Sequence, residues 1–158
     1  MLVGCLVLGG GLAIRYLFVT SPDQQAVKDA PRITDAAYEA KATAICKSYE
    51  HLFNTETTLG QTPTQEQAGA FLDHIAGSFD AMVDTLAQIP VTPAAQGPVA
   101  QWLSEWRQYD SFGHTYAAAV AQGAERNLVT EDSAGEGKLR RTRNGFAKAN
   151  HMSACAFN

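Results

Sequence analysis

Cysteine, basic charge and strand-like patterns are all scarce in this chain. Only three cysteines occur in 158 residues, and the formal net charge is −4. Such a composition lacks the basic surplus that binds a phosphate backbone, so we predict no nucleic-acid partner. Apolar and polar residues nowhere alternate with the period of two that predicts a half-buried strand. The scarcities therefore exclude a nucleic-acid-binding class and favour an all-α fold.

Motifs that carry chemistry are also missing. The chain has no Gly-x-Ser-x-Gly nucleophile elbow, no Cys-x-x-Cys-His haem attachment and no Glu-x-x-His pair for a di-iron site. Its run of three glycines, residues 9–11, lies inside an apolar segment and not in a phosphate-binding loop. We therefore predict a protein that is not an enzyme, with no catalytic residues, no cofactor and no metal ion.

Residues 2–19 are the most informative segment, because they are almost wholly apolar. A membrane-spanning helix needs about 17–25 such residues, so the run is just long enough to cross a bilayer. Its single charge, Arg15, lies near one end, where the guanidinium can reach the headgroups. We predict a transmembrane anchor at 1–19, a juxtamembrane linker at 20–32 and an extracytoplasmic domain at 33–158, attached to the cell membrane by a single pass.

Two alternatives to this retained signal-anchor stay open. The first is a cleaved signal peptide, although the segment lacks a basic leading region and a clean small-x-small cleavage site. The second is that Met1 is not the true start of the protein. In that case residues 2–5 have the form of a lipoprotein box, and Cys5 would carry the lipid.

Four amphipathic segments follow the linker. Apolar residues recur at intervals of three and four over about 34–53, 64–89, 92–123 and 138–153, which is the helical period. The second segment has the clearest start, a capping box from Thr64 to Gln67. Helices of this length joined by short loops predict an up-down antiparallel four-helix bundle.

Two cysteines lie beyond the apolar segment, Cys46 on the first predicted helix and Cys155 after the fourth. The first and fourth helices of an up-down bundle are neighbours, and an extracytoplasmic domain meets an oxidising compartment. We therefore predict a disulfide between them, the one pairing that two cysteines allow. Two buried free thiols are the main alternative, and a metal site with His151 as a third ligand is the other.

Each predicted helix carries one histidine. These are His51, His74, His114 and His151. Because they fall at different heights along the bundle, we predict surface or boundary positions and not a shared metal site.

Aromatic and basic side chains each allow a structural and a functional interpretation. An aromatic ladder on the third helix is typical of a core and less often of a ligand platform. It contains Trp102, Trp106, Tyr109 and Tyr116. Basic residues around the fourth helix indicate a solvated face, with lipid headgroups or an acidic partner as the alternative. They are Lys138, Arg140, Arg141, Arg143 and Lys148.

One spaced pattern runs through all four segments. Its members are Ile45-Cys46, Ile89-Pro90, Trp102-x-x-x-Trp106, Tyr116-Ala117, Ala149-Asn150 and Cys155. In this pattern, over about residues 33–158, the chain resembles small actinobacterial membrane-anchored envelope proteins with a disulfide-closed helical domain. The resemblance implies a place in the cell envelope and not an activity.

Together these features predict a membrane-anchored extracytoplasmic helical module for binding or scaffolding in the cell envelope. Its partners would be the membrane, through residues 2–19, and an envelope protein or lipid that the sequence does not identify. The alternative is a bundle that carries haem, a metal or a lipid in its interior. A core filled by large aromatics would favour the module.

Overall fold

Five α-helices and no strands make up the part of the chain that the structure describes. The computed structural model describes residues 21–56, 63–124 and 133–157, with side chains at 21–50, 63–124 and 135–157. The helices are α1 (Pro22–Asp29), α2 (Ala36–Glu56), α3 (Gln65–Ala87), α4 (Gln96–Ala121) and α5 (Ser133–Ala149), and a 3-10 turn follows at Ser153–Cys155. The helices pack together, which confirms the all-α class. The up-down four-helix arrangement stays a prediction.

Helix α3 begins where the sequence predicts. The Gln67 backbone N–H donates to Thr64 Oγ1 at 3.2 Å, and the Thr64 N–H donates to Gln67 Oε1 at 2.9 Å, which completes the capping box. Helix α4 begins later than its predicted start at Thr92, because residues 93–95 form a turn before Gln96. Helices α3 and α4 then form the most extensive helix pair of the fold.

Two buried polar side chains fasten the segment around α2. Asp35 Oδ1 accepts the N–H of Tyr38 at 3.1 Å, and Asp35 Oδ2 accepts the N–H of Thr92 at 2.8 Å. Both hydrogen bonds lower the pKa of Asp35, and the bond from Thr92 has the larger effect. Asn150 Oδ1 accepts the N–H of Ile33 at 2.9 Å. The chain before α2 is therefore tied both to the segment between α3 and α4 and to the residue that follows α5.

Helix α1 lies within the segment that the sequence predicts as a linker. Ser21 and Gln24 form a capping box at its start, and Pro22 occupies the first turn, where its missing N–H costs nothing. The helix packs on α5, where a Cβ at Gly145 would lie only 2.6 Å from the carbonyl oxygen of Ala26. Glycine at position 145 thus allows a close helix contact that any side chain would obstruct.

Stacked aromatic pairs fill the core between α3, α4 and α5. Trp106 stacks on Phe79 with ring centroids 5.5 Å apart, and Trp102 stacks on Phe146 at 5.3 Å. Both tryptophans are fully buried, which confirms the predicted core position of Trp106. Tyr116, the last member of the aromatic ladder, is 41% exposed.

The residues after α5 complete this core. Cys155 forms the predicted disulfide with Cys46, with the two Cα atoms 5.1 Å apart. The ring of Phe157 packs edge-on against Phe79 at 5.5 Å and against Trp106 at 5.8 Å. The disulfide therefore joins α2 to the 3-10 turn, and the following residues cover the tryptophan.

Within 21–56, 63–124 and 133–157, no helix combines the length and the apolar character needed to cross a bilayer. The predicted anchor at residues 2–19 lies outside these ranges.

Candidate functional site

An open groove of about 400 Å³ runs between α1, α4 and α5. We call it the α1–α4–α5 groove. Its most buried lining residues are the stacked pair Trp102 and Phe146. Small apolar residues of α1 and the turn after it, Ala26, Ala30 and Pro31, form one wall. A volume of several hundred Å³ with a mainly apolar lining is typical of a site for a small molecule.

Charges of both signs line the same groove. Arg141 and Lys138 lie on the α5 side, whereas Asp29 and Glu105 lie on α1 and α4. In the described part of the chain none of the four forms an ion pair. Asp29 accepts a hydrogen bond from Gln25 at 2.8 Å, and Glu105 accepts one from Gln101 at 3.1 Å. Arg141 and Glu105 are half-buried, so both charges are partly removed from water without a partner of opposite sign.

A second polar group lies on the face shared by α3 and α4. His114 Nδ1 is 2.7 Å from Asp73 Oδ1, and His114 Nε2 is 3.0 Å from Asp80 Oδ2. An imidazolium can donate from both ring nitrogens, whereas neutral imidazole can donate from only one. The bonds to Asp73 and Asp80 therefore raise the pKa of His114 above its usual value.

Asp110 lies one helical turn before His114 and is only 2% exposed. Its Oδ2 atom has no hydrogen-bond partner among the described residues. Burial, and then repulsion from Asp80, raises the pKa of Asp110 to about 7, while Arg143 and His114 act in the opposite direction. This carboxyl group can therefore bind or release a proton near neutral pH.

Arg143 is a buried cation, with 1% of the residue exposed. Its guanidinium carbon lies 3.7 Å from the ring centroid of Trp106 and 3.9 Å from that of Tyr109, within the range of cation–π attraction. Its Nη2 atom donates to the Phe157 carbonyl at 3.4 Å, while Nε and Nη1 have no partner in the described structure. Burial lowers the pKa of Arg143 to about 10. Aromatic faces thus replace much of the solvation that burial removes.

The residues singled out from the sequence do not meet in one place. His74 and His151 are exposed, His114 is half-buried, and the side chain of His51 lies outside the described residues, as does Cys5. In the ranges that the structure covers, no three histidine, cysteine, aspartate or glutamate side chains are grouped to hold a metal ion. Of the aromatic ladder, Trp102 alone lines the groove.

Sequence reasoning missed the two buried charges, although a signal for them existed. Arg143 was expected on the solvated basic face, which is wrong: it lies four residues after Leu139 and three before Phe146, on the predicted apolar stripe. Asp110 likewise falls four residues after Trp106. A charged residue at a stripe position predicts a buried charge, because helical residues three or four apart share a face.

Comparisons of the chain with known protein families, with curated proteins and with solved structures found no match. The site is therefore interpreted from its own geometry and charge.

Proposed function

We propose that this chain is a membrane-anchored, extracytoplasmic binding module of the cell envelope, and that the α1–α4–α5 groove is its binding surface. The observation that carries the proposal is the groove itself. It offers about 400 Å³ beside buried aromatic rings, and the four charged side chains of its lining form no ion pair within the described residues. Apolar surface supplies affinity for a ligand, and sparse charged groups fix its orientation.

The position of the groove along the chain supports a role at the membrane. Pro22 lines the groove and follows the predicted anchor residue Val19 by three positions. Three residues span at most about 10 Å, so a groove next to a membrane anchor would lie close to the headgroups. The disulfide supports an extracytoplasmic domain, because such bonds persist mainly in oxidising compartments.

Packing of the interior favours a surface groove over an internal carrier. The rings of Trp102, Trp106, Phe79 and Phe146 stack in two pairs inside the fold. An internal haem or lipid would need the space that these rings occupy. We therefore do not propose the carrier as a second function.

Topology is tested by adding protease to intact spheroplasts that contain the full-length chain. We expect digestion beyond about Thr20 and a small stub that stays in the membrane. Complete protection would contradict the extracytoplasmic domain. A soluble secreted species that begins near Ser21 would contradict the retained anchor.

Binding is tested with a photo-crosslinking amino acid placed at Gln101 in the full-length chain within its native envelope. The matched control carries the same group at Gln108, which is exposed on the same helix but does not line the groove. We expect adducts, whether lipid or protein, at several-fold higher yield from position 101. Equal yields at the two positions would contradict the groove as the binding surface.

A further inference from the structure

We propose that the α1–α4–α5 groove binds one zwitterionic, amine-bearing phospholipid from the adjoining membrane leaflet. The inference rests on the proposed anchoring and names the ligand class of the same site. The acyl chain would lie against the Trp102–Phe146 pair, and the headgroup would lie among the four charged side chains of the lining.

The shape and lining of the groove suit a single acyl chain. A volume of about 400 Å³ is at the small end of ligand sites, which span about 300–1,000 Å³. The groove is open and not an enclosed cavity, so an acyl chain would not have to pass through a narrow mouth. Its most buried lining residues are aromatic, and contact with their rings would remove methylene groups from water.

The charges select the headgroup. Arg141 and Lys138 are hydrogen-bond donors without an acidic partner in the described structure, and phosphate oxygens are strong acceptors for such donors. Asp29 and Glu105, on α1 and α4, can accept hydrogen bonds from a primary ammonium group. A headgroup that carries a phosphate and an ammonium group would satisfy both sides at once.

The same arrangement discriminates against other ligands. A purely anionic headgroup would meet Asp29 and Glu105 without any compensating cation of its own, and such like-charge contacts are repulsive. A peptide with one acidic and one basic side chain could also satisfy the four charges. The charges alone therefore do not distinguish a peptide from a phospholipid. The nearness of the predicted anchor, three residues before Pro22, therefore decides in favour of a lipid.

The test uses the full-length chain in maltoside micelles, titrated with single-chain phospholipids that carry a photoreactive group in the acyl chain. The probes are lysophosphatidylethanolamine and lysophosphatidylglycerol, and labelled residues are mapped by mass spectrometry. We expect the ethanolamine lipid to label groove residues and to saturate at about ten-fold lower concentration, since each charge-assisted hydrogen bond contributes about that factor. Equal saturation by both lipids, or labelling confined to residues 2–19, would overturn the inference.

Charge variants give the sharper test. Arg141→Gln should weaken the ethanolamine lipid about ten-fold, whereas Lys148→Gln, on the exposed side of the same helix, should not. Glu105→Gln should weaken the ethanolamine lipid and strengthen the glycerol lipid, because it removes a repulsive charge. An unchanged preference in both groove variants, with unfolding curves like that of the parent, would overturn the headgroup assignment.

A steric variant separates this inference from the proposed function. Gln101→Trp should fill the groove and abolish lipid labelling, while Gln108→Trp should leave it intact. If position 101 instead crosslinks to a protein in the envelope and no lipid labels the groove, the binding module stands and the phospholipid is wrong. If position 101 crosslinks to nothing, both fail.

Discussion

Asp110→Asn should stabilise the fold, and by an amount that grows with pH. Asp110 is buried beside Asp80, and its pKa is raised to about 7 from an ordinary value of 3.8. A carboxyl group whose folded pKa is raised stabilises the fold below its unfolded pKa, and this contribution is lost as pH rises through the folded value. Asparagine keeps the shape of the protonated acid but never acquires the charge.

The size of the effect follows from the pKa difference. Each pKa unit corresponds to about 1.4 kcal/mol, so the ionised carboxylate costs the fold about 4 kcal/mol at pH well above 7. At pH 3 the acid is mostly protonated in both the folded and the unfolded state, and the difference from asparagine vanishes. The attraction to Arg143 opposes the rise in the pKa of Asp110 and is therefore already contained in the figure of about 4 kcal/mol.

Urea unfolding of the full-length chain in mild detergent, followed by tryptophan fluorescence at pH 4, 6 and 8, measures this dependence. The matched control is Asp84→Asn, since Asp84 is an exposed aspartate whose 3.6 Å ion pair with Arg107 lies on the surface. Its effect should stay below about 0.5 kcal/mol at every pH. If Asp110→Asn has the same effect at pH 4 as at pH 8, the buried carboxylate does not titrate as argued.

Four further results are expected. Trp106→Ala should lower the free energy of unfolding by about 3–5 kcal/mol, and a melting transition that barely moves would mean that the ring is not in the core. Reduction of the disulfide, whose cysteines are 109 residues apart, should lower that energy by about 4–5 kcal/mol, while two alkylatable thiols in the folded, unreduced chain would refute the bond. Gly145→Ala should destabilise the fold by about 1–3 kcal/mol, because the added methyl group meets the Ala26 carbonyl. Gly77→Ala, at a position with open space around it, should instead stabilise the fold by up to about 1 kcal/mol. Equal effects of the two substitutions would mean that α1 is not packed on α5. His114→Gln should reduce stability below about pH 6.5 and lose its effect as pH rises through the raised histidine pKa, so a loss that is constant with pH would contradict the two carboxylate bonds.

Local signals in the sequence were enough to predict the long helices. The capping box from Thr64 to Gln67 predicted the start of α3 because both bonds lie within one turn of the chain. The start of α4 was predicted less well. The Thr92 N–H is used by Asp35, 57 positions earlier in the chain, and no local pattern reveals such a partner.

Helix α1 shows a different reason for failure. Its residues are mostly polar, and none of them is fully buried, so it has no apolar stripe to detect. The close approach at Gly145 holds it on α5, a contact between residues far apart in sequence. The α1–α4–α5 groove could not be predicted for the same reason, because one of its walls is this helix.

The position of Phe157 has a consequence for biosynthesis. Residues 152–157 leave the ribosome after all five helices, yet they supply the partner of Cys46 and the ring that covers Trp106. The helices can form as they emerge, but the core stays open and the Cys46 thiol stays unpaired until this segment arrives. During that interval the thiol is exposed to mispairing and the aromatic surface to aggregation. Oxidative folding catalysts and chaperones would therefore complete their work on this domain only after residues 152–157 have emerged.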